Sequence, residues 1–189
     1  RRLVLEYIVN NPPVSRADLS KHLKLAKATI SAIVQDLLLQ NLILEIGSAK
    51  TSLGRKPILL EFNQQYGYAL AIDVRPRQIL ALISDLKGEN CHVHKYPFLP
   101  EEQLLPLLTR IVQEMLKEYE QENRKILGIS VGIYGVVRKN QILFTPYYPL
   151  PDPNLGSMLE ETFGIPVLVE NEANLSVLGE SAFHYDCRN

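Results

Sequence analysis

Over the first forty residues the apolar positions fall at helical spacing, in three separate blocks. Leu3, Leu5, Ile8 and Val9 give a first helix an apolar side, and Pro12-Pro13 ends it, because proline fixes φ and lacks the amide donor a helix interior needs. Ser15 then stands where an N-cap belongs, with Asp18 three residues on; the hydroxyl accepts an orphan amide and the acid favours the positive helix end. Leu19 and Leu23 face inward from this short second helix, and Leu25-Ala26 makes a turn. A third helix runs from Lys27 to about Gln40 with Ile30, Ile33, Val34, Leu37 and Leu38 along one side. Two short apolar runs follow, Ile43 to Ile46 and Ile58 to Phe62, joined by a loop that contains Lys50, Gly54, Arg55 and Lys56.

From Tyr68 the period changes. YALAIDV, QILALISDL and ENCHVHKY read as three strands of an antiparallel meander, with a tight turn at Asp85-Leu86-Lys87-Gly88. Pro100 to Glu122 reads as a long amphipathic helix with Leu104, Leu107, Leu108, Ile111, Met115 and Tyr119 inward and Pro106 in its first turns. Ile126 to Ile133 is a near-continuous apolar run that suits a strand buried on both faces, leading into Gly132-Ile133-Tyr134-Gly135. A hairpin around Arg138 to Asn140, a helix from Asn154 to Phe163 and a strand from Pro166 to Glu170 follow, then a helix from Asn171 with Leu175, Leu178 and Ala182 inward. The pattern predicts two domains: residues 1–62, helical with a hairpin, and residues 63–189, mixed α/β.

Charge sharpens this division. The formal net charge is −1, but residues 1–62 hold nine Lys and Arg against five Asp and Glu, and the remainder eleven against sixteen. The first part is cationic and the second anionic, which suits nucleic acid on one and not on the other. The order helix, turn, helix, basic hairpin is that of a winged helix-turn-helix, whose last helix enters a major groove while its loop lies along phosphates or in a minor groove. Lys27, Ala28, Ser31 and Gln35 form the polar stripe of the third helix; with Thr29, Ser15, Arg16, Arg55 and Lys56 they are the candidate contacts to double-stranded DNA. No apolar run is long enough to span a bilayer and the start carries no signal-peptide pattern, so a cytoplasmic location without membrane contact is expected. Cys91 and Cys187 form no CxxC pair, and Cys91-His92-Val93-His94 lacks a neighbouring carboxylate motif, so neither disulfide nor metal is expected.

In the second domain VENEANLSVLGE gathers Glu170, Asn171, Glu172 and Asn174 at a strand-to-helix junction. Ligands of open α/β sheets sit at the carboxyl ends of strands, where carboxylates and amides accept and donate to neighbouring hydroxyls. Helix capping by Asn171 explains the same residues as well.

The winged-helix pattern with GRKP, the AIDV strand, GISVGIYGVV and VENEANLSVLGE together resemble the ROK family of repressors and sugar kinases, over nearly the whole chain. The resemblance implies an actin-like fold of two ribonuclease-H-like lobes with a sugar cleft between them, of which these residues supply the first lobe and not the second. It implies sugar recognition by Asn171 and Glu172, the latter in place of the family's catalytic aspartate, with Gly135 in the matching loop. Family kinases follow the first strand with a glycine-rich phosphate loop; here Asp73 is followed by Val74-Arg75-Pro76-Arg77-Gln78, so neither phosphate transfer nor a cofactor is expected. The resulting expectation is a homodimeric regulator, a repressor of sugar-utilisation genes, that binds a palindromic operator and responds to a sugar or sugar phosphate. The alternatives are a sugar kinase with an added DNA-binding domain and a winged helix that contacts protein.

Overall fold

The computed structural model describes residues 1–48, 57–99, 101–120, 125–149 and 151–183. The chain divides into two compact units, Arg1–Tyr66 and Gly67–Asn189. The division falls four residues beyond Phe62, because a short 3-10 turn, Gln64–Tyr66, stays with the first unit, where Asn63 N–H donates to the Leu42 carbonyl.

The first unit contains α1 (Arg2–Asn10), β1 (Val14–Ser15), α2 (Arg16–Leu23), α3 (Lys27–Leu39), β2 (Ile43–Ser48) and β3 (Ile58–Phe62). Its core is Val4, Ile8, Val14, Leu19, Ile30, Val34, Leu37, Ile43 and Leu60. The helices form because each supplies one apolar stripe to this cluster; each fully buried aliphatic side chain contributes about 1.5–3 kcal/mol. The inward face of α1 differs from the expected one: Val4 and Ile8, one turn apart, are buried, whereas Leu3 is 58% exposed. The strands make an antiparallel sheet of order β1-β3-β2. Leu60 pairs with Val14 on one side and with Glu45 on the other, so the start of α2 and the middle of β2 are tied to one residue of β3.

The second unit contains β4 (Tyr68–Arg75), β5 (Gln78–Asp85), β6 (His92–Pro97), α4 (Leu104–Glu120), β7 (Ile126–Ile133), β8 (Val136–Arg138), β9 (Gln141–Phe144), α5 (Leu155–Phe163), β10 (Val167–Asn171) and α6 (Glu172–Phe183). The five-stranded sheet has the order β10-β7-β4-β5-β6: β4, β5 and β6 are the antiparallel meander, and β7 and β10 join parallel to β4. Strict alternation on β4 buries Tyr68, Leu70, Ile72 and Val74 on one face, in one cluster with Leu108, Ile111 and Met115 of α4 and Leu155 and Leu159 of α5. The opposite face presents Ala69, Ala71, Gly128, Ser130, Leu80 and Leu82, none fully buried.

Two sequence expectations shift here. α4 begins at Leu104 and not at Pro100, because Glu102 N–H bonds the Leu99 carbonyl while its carboxylate accepts from Leu99 N–H at 2.8 Å, closing a separate turn first. On α6 Leu175 faces inward, but Leu178 is 57% exposed and Ala182 is exposed too. The hairpin at Arg138 to Asn140 is β8–β9, and Asn140, at φ 66°, does more than turn the chain. Its side chain donates to the Val167 carbonyl at 3.1 Å and accepts from Val169 N–H, on the outer edge of β10. At the other border β6 carries Lys95 and ends in Pro97.

Candidate functional site

In the first unit the polar stripe of α3 is on the surface as the spacing requires: Lys27, Ala28, Thr29, Ser31 and Gln35 are exposed while Ile30, Val34 and Leu37 are buried behind them. The turn before it is fixed by Lys24 at φ 53° and by the Ser20 hydroxyl, which donates to the Leu25 carbonyl at 2.7 Å.

Ser15 is buried and its groups are committed to a capping box. Its N–H and hydroxyl both donate to Asp18 Oδ2, at 3.1 and 2.6 Å, and its hydroxyl accepts from Asp18 N–H at 3.2 Å. These bonds hold the Asp18 carboxyl below its usual range, the Ser15 hydroxyl first among the causes. Ser15 therefore fixes the start of α2 and keeps no donor for DNA, which alters the role expected of it. Arg16, the next residue, donates to Glu45 Oε1 at 2.9 Å. Arg55 and Lys56 lie outside the described residues.

The second cluster gathers at the carboxyl ends of β4, β7 and β10. Asn171 ends β10 and does two jobs at once. Its Oδ1 accepts from Ala173 N–H at 3.0 Å and Asn174 N–H at 3.2 Å, which caps α6; its Nδ2 donates to the Gly135 carbonyl at 2.9 Å and to Glu172 Oε2 at 2.7 Å. Glu170 Oε1 accepts from Asn171 N–H at 2.8 Å and Asn174 Nδ2 at 3.1 Å. Asn171, Glu172 and Gly135 are thus brought together as expected, but the Asn171 amide is spent on the protein itself. Among the described residues Glu172 Oε1 has no hydrogen-bond partner, which leaves Glu172 as the acceptor of this trio.

Asp73 and Arg75 complete the site. As residues i and i+2 of a strand they share a face, the only sign of their pairing in the sequence. Arg75 Nε donates to Asp73 Oδ2 at 2.6 Å, and this bond raises the guanidinium pKa above its ordinary value. The other oxygen, Asp73 Oδ1, is buried and has no hydrogen-bond partner among the described residues. Burial raises the Tyr148 phenol well above its usual range, with the charges of Glu172 and Asp73 adding to the effect. Asp73, Arg75, Tyr134, Glu172 and Ser176 line the polar part of an open cavity of about 540 Å³, whose apolar part is Leu80, Leu82, Val93 and Leu175. The surplus of acceptors suits a ligand that donates hydroxyl protons.

His92 and His94 take structural surroundings: His92 stands edge-on to Tyr119 and His94 lies 3.8 Å from Glu118. Among the described residues no three His, Cys, Asp or Glu side chains converge as a metal site, and no helix is long and apolar enough to cross a membrane.

The model of the ROK family matches residues 69–187, from the second residue of β4 onward. The chain belongs to the ROK family. This ROK chain is 36% identical over 187 residues, 97% of its length, to the xylose repressor of Bacillus spizizenii, of which it covers 48%. It is 27% identical over 179 residues, 90% of its length, to the DNA-binding transcriptional repressor Mlc of Escherichia coli, of which it covers 44%. The chain thus spans about half the length of the curated relatives it matches. Among solved structures, a ROK family transcriptional regulator, a homologue of the Escherichia coli MLC protein, superposes on 95% of this chain and 47% of its own with TM-score 0.77 and 26% identity. A ROK family glucokinase from Streptomyces griseus, solved with glucose and AMPPNP, covers 62% of this chain and 37% of its own at TM-score 0.52 and 24% identity, a likeness of fold alone. The regulator and the glucokinase share a mixed α/β fold with this chain.

Proposed function

We propose that this chain is a DNA-binding transcriptional regulator, a repressor of sugar-utilisation genes that responds to a sugar or sugar phosphate. Residues 1–62 are its winged helix-turn-helix and residues 63–189 its effector lobe. The observation that carries this is the exposed stripe Lys27, Ala28, Thr29, Ser31 and Gln35 on α3, set on a buried apolar stripe and followed by a hairpin with a basic loop. The small and polar side chains let the helix approach base edges, and Lys27 and Arg16 meet phosphates. Arg55 and Lys56 extend the phosphate contacts through the wing loop. The repressor names among the relatives agree with this assignment.

In the lobe, Glu172 and Asp73 accept hydroxyl protons of the effector, while Asn171 and the Gly135 carbonyl hold Glu172 in place. Operator binding is by a homodimer, whose paired α3 helices must match successive half-sites; an effector that binds one arrangement of the dimer better than the other changes that match. Phosphate transfer is not proposed. Arg75 already neutralises Asp73, and in the turn that follows Pro76 has no amide to offer a phosphate. A coupled assay with ATP and sugars tests this directly; turnover would revive the kinase reading.

The deciding experiment is fluorescence anisotropy of the chain with the duplex upstream of its own gene and with a scrambled duplex, across a salt series. Tight, salt-steep binding that prefers the upstream duplex is expected. Flat curves on both would sink the DNA reading and leave a protein partner for α3.

A further inference from the structure

Arg16 and Glu45 are 29 positions apart and meet because β3 pairs with both β1, which precedes Arg16, and β2, which carries Glu45. The capping box sets Arg16 at the first position of α2, one residue after β1. Glu45 lies on β2 opposite Leu60, the residue that also pairs with Val14. The guanidinium Nη2 donates to Glu45 Oε1 at 2.9 Å, with side-chain exposures of 29% for Arg16 and 41% for Glu45. Both ends are therefore anchored in backbone while the charged heads remain within reach of solvent. In a helix-turn-helix the helix before the recognition helix crosses the DNA backbone, and arginine there takes phosphate oxygens. A carboxylate and a phosphate ask the same thing of a guanidinium, two oxygens in its donor plane.

We propose that Glu45 is an internal substitute for a DNA phosphate: it holds Arg16 in the free chain, must release it when a phosphate arrives, and so lowers sequence-independent binding. The inference rests on the DNA-binding reading above. Base contacts along α3 do not pass through this pair, so the device lowers generic affinity without touching sequence readout. Glu45 thereby sets how much the Arg16 phosphate contact adds to affinity, and itself contacts no base.

The test is a double-mutant cycle on the full chain with a random-sequence duplex, by fluorescence anisotropy over a salt series, using Glu45→Gln, Arg16→Gln and the pair together. Exposed ion pairs of this kind predict that Glu45→Gln tightens generic binding about two- to fivefold. The log–log salt slope should steepen by at most about one unit. In the Arg16→Gln background the same change should do nothing, because the guanidinium it frees is gone. Glu45→Ala, which has no amide to bond Arg16, should repeat the Glu45→Gln pattern. A gain of equal size with and without Arg16 would reveal a general charge effect and overturn the proposal, as would binding that weakens or stays the same in Glu45→Gln. Failure of the unaltered chain to bind any duplex would overturn the DNA reading and this inference together, whereas normal binding with no gain in the variants overturns this inference alone.

Discussion

Gly135→Ala offers the sharpest test of how the second unit's site is built. A Cβ placed on Gly135 would lie 2.0 Å from the Phe144 carbonyl oxygen, 3.1 Å from its carbon and 3.2 Å from Thr145 Cα. All three are backbone atoms, so no rotamer change relieves the clash; β9 or the Gly135 loop must move by roughly 1 Å to restore van der Waals contact. Overpacking of this kind costs about 1–3 kcal/mol. The same movement displaces the Gly135 carbonyl, which accepts from Asn171 Nδ2 at 2.9 Å. A further ångström ends that bond and adds about 1 kcal/mol. The total, about 2–4 kcal/mol, should lower the melting temperature of the second unit by roughly 8–16 °C, at about 4 °C per kcal/mol for a unit of this size. Thermal unfolding followed by circular dichroism, with urea titration for the free energy, measures it. The first unit should melt as before, because none of its contacts is involved. A loss below about 0.5 kcal/mol, the ordinary scatter of harmless surface changes, would show that the close approach of Gly135 to Phe144 does not govern the position of the Asn171 carbonyl partner.

Gly179→Ala should act in the opposite sense: a Cβ there meets nothing within 4 Å on α6, and alanine in a helix interior is favoured by about 0.8–1 kcal/mol, so the urea midpoint should rise. Ser15→Ala should lower the first unit's stability by about 1 kcal/mol through loss of the cap, read from its thermal midpoint. Because the Asp18 pKa is lowered in the folded chain, its contribution is present above the unfolded value of about 4 and disappears as pH falls through the lower folded value. Melts between pH 5 and pH 2 should show this acid loss in the unaltered chain and a flatter profile in Ser15→Ala; parallel profiles would detach Asp18 from the cap. Glu172→Ala should abolish any shift of DNA affinity by sugar while leaving sugar-free affinity unchanged, and a retained sugar response would make Glu172 a partner of Asn171 and nothing more.

Much of the fold was legible because burial follows period. The stripe Ile30, Val34, Leu37 names α3, and alternation through Tyr68, Leu70, Ile72 and Val74 names β4, without knowledge of any neighbour. What failed was decided by neighbours. Leu3 and Val4 are both apolar, and the packing of α1 against α2, α3 and β3 selects Val4. β1 is two residues long, too short for any period, and exists because β3 offers it partners. Leu178 and Ala182 follow the helical spacing of Leu175, yet both are exposed where Leu175 is half-buried. The site was legible at the level of composition: ENEAN marked the place. Which groups remain available was not, because the division of Asn171 between cap and carbonyl depends on where β10 ends relative to the Gly135 loop. By sequence Ser15 is both an N-cap and a DNA-contact candidate, and the bonds to Asp18 commit it to the cap.

Asn140 bears on how copies of this chain can associate. An open sheet grows by offering unpaired amides and carbonyls at its borders, and a border that recruits a second chain leads to filaments and inclusion bodies. Here the Asn140 side chain occupies the Val167 carbonyl and the Val169 amide, imitating one residue of a further strand and then stopping. At the far border Lys95 would carry charge into any added strand and Pro97 offers no amide at all. Self-association by strand addition is thus blocked at one side and penalised at the other. Removing Asn140 should expose that border again and turn a clear preparation into one that precipitates at high concentration.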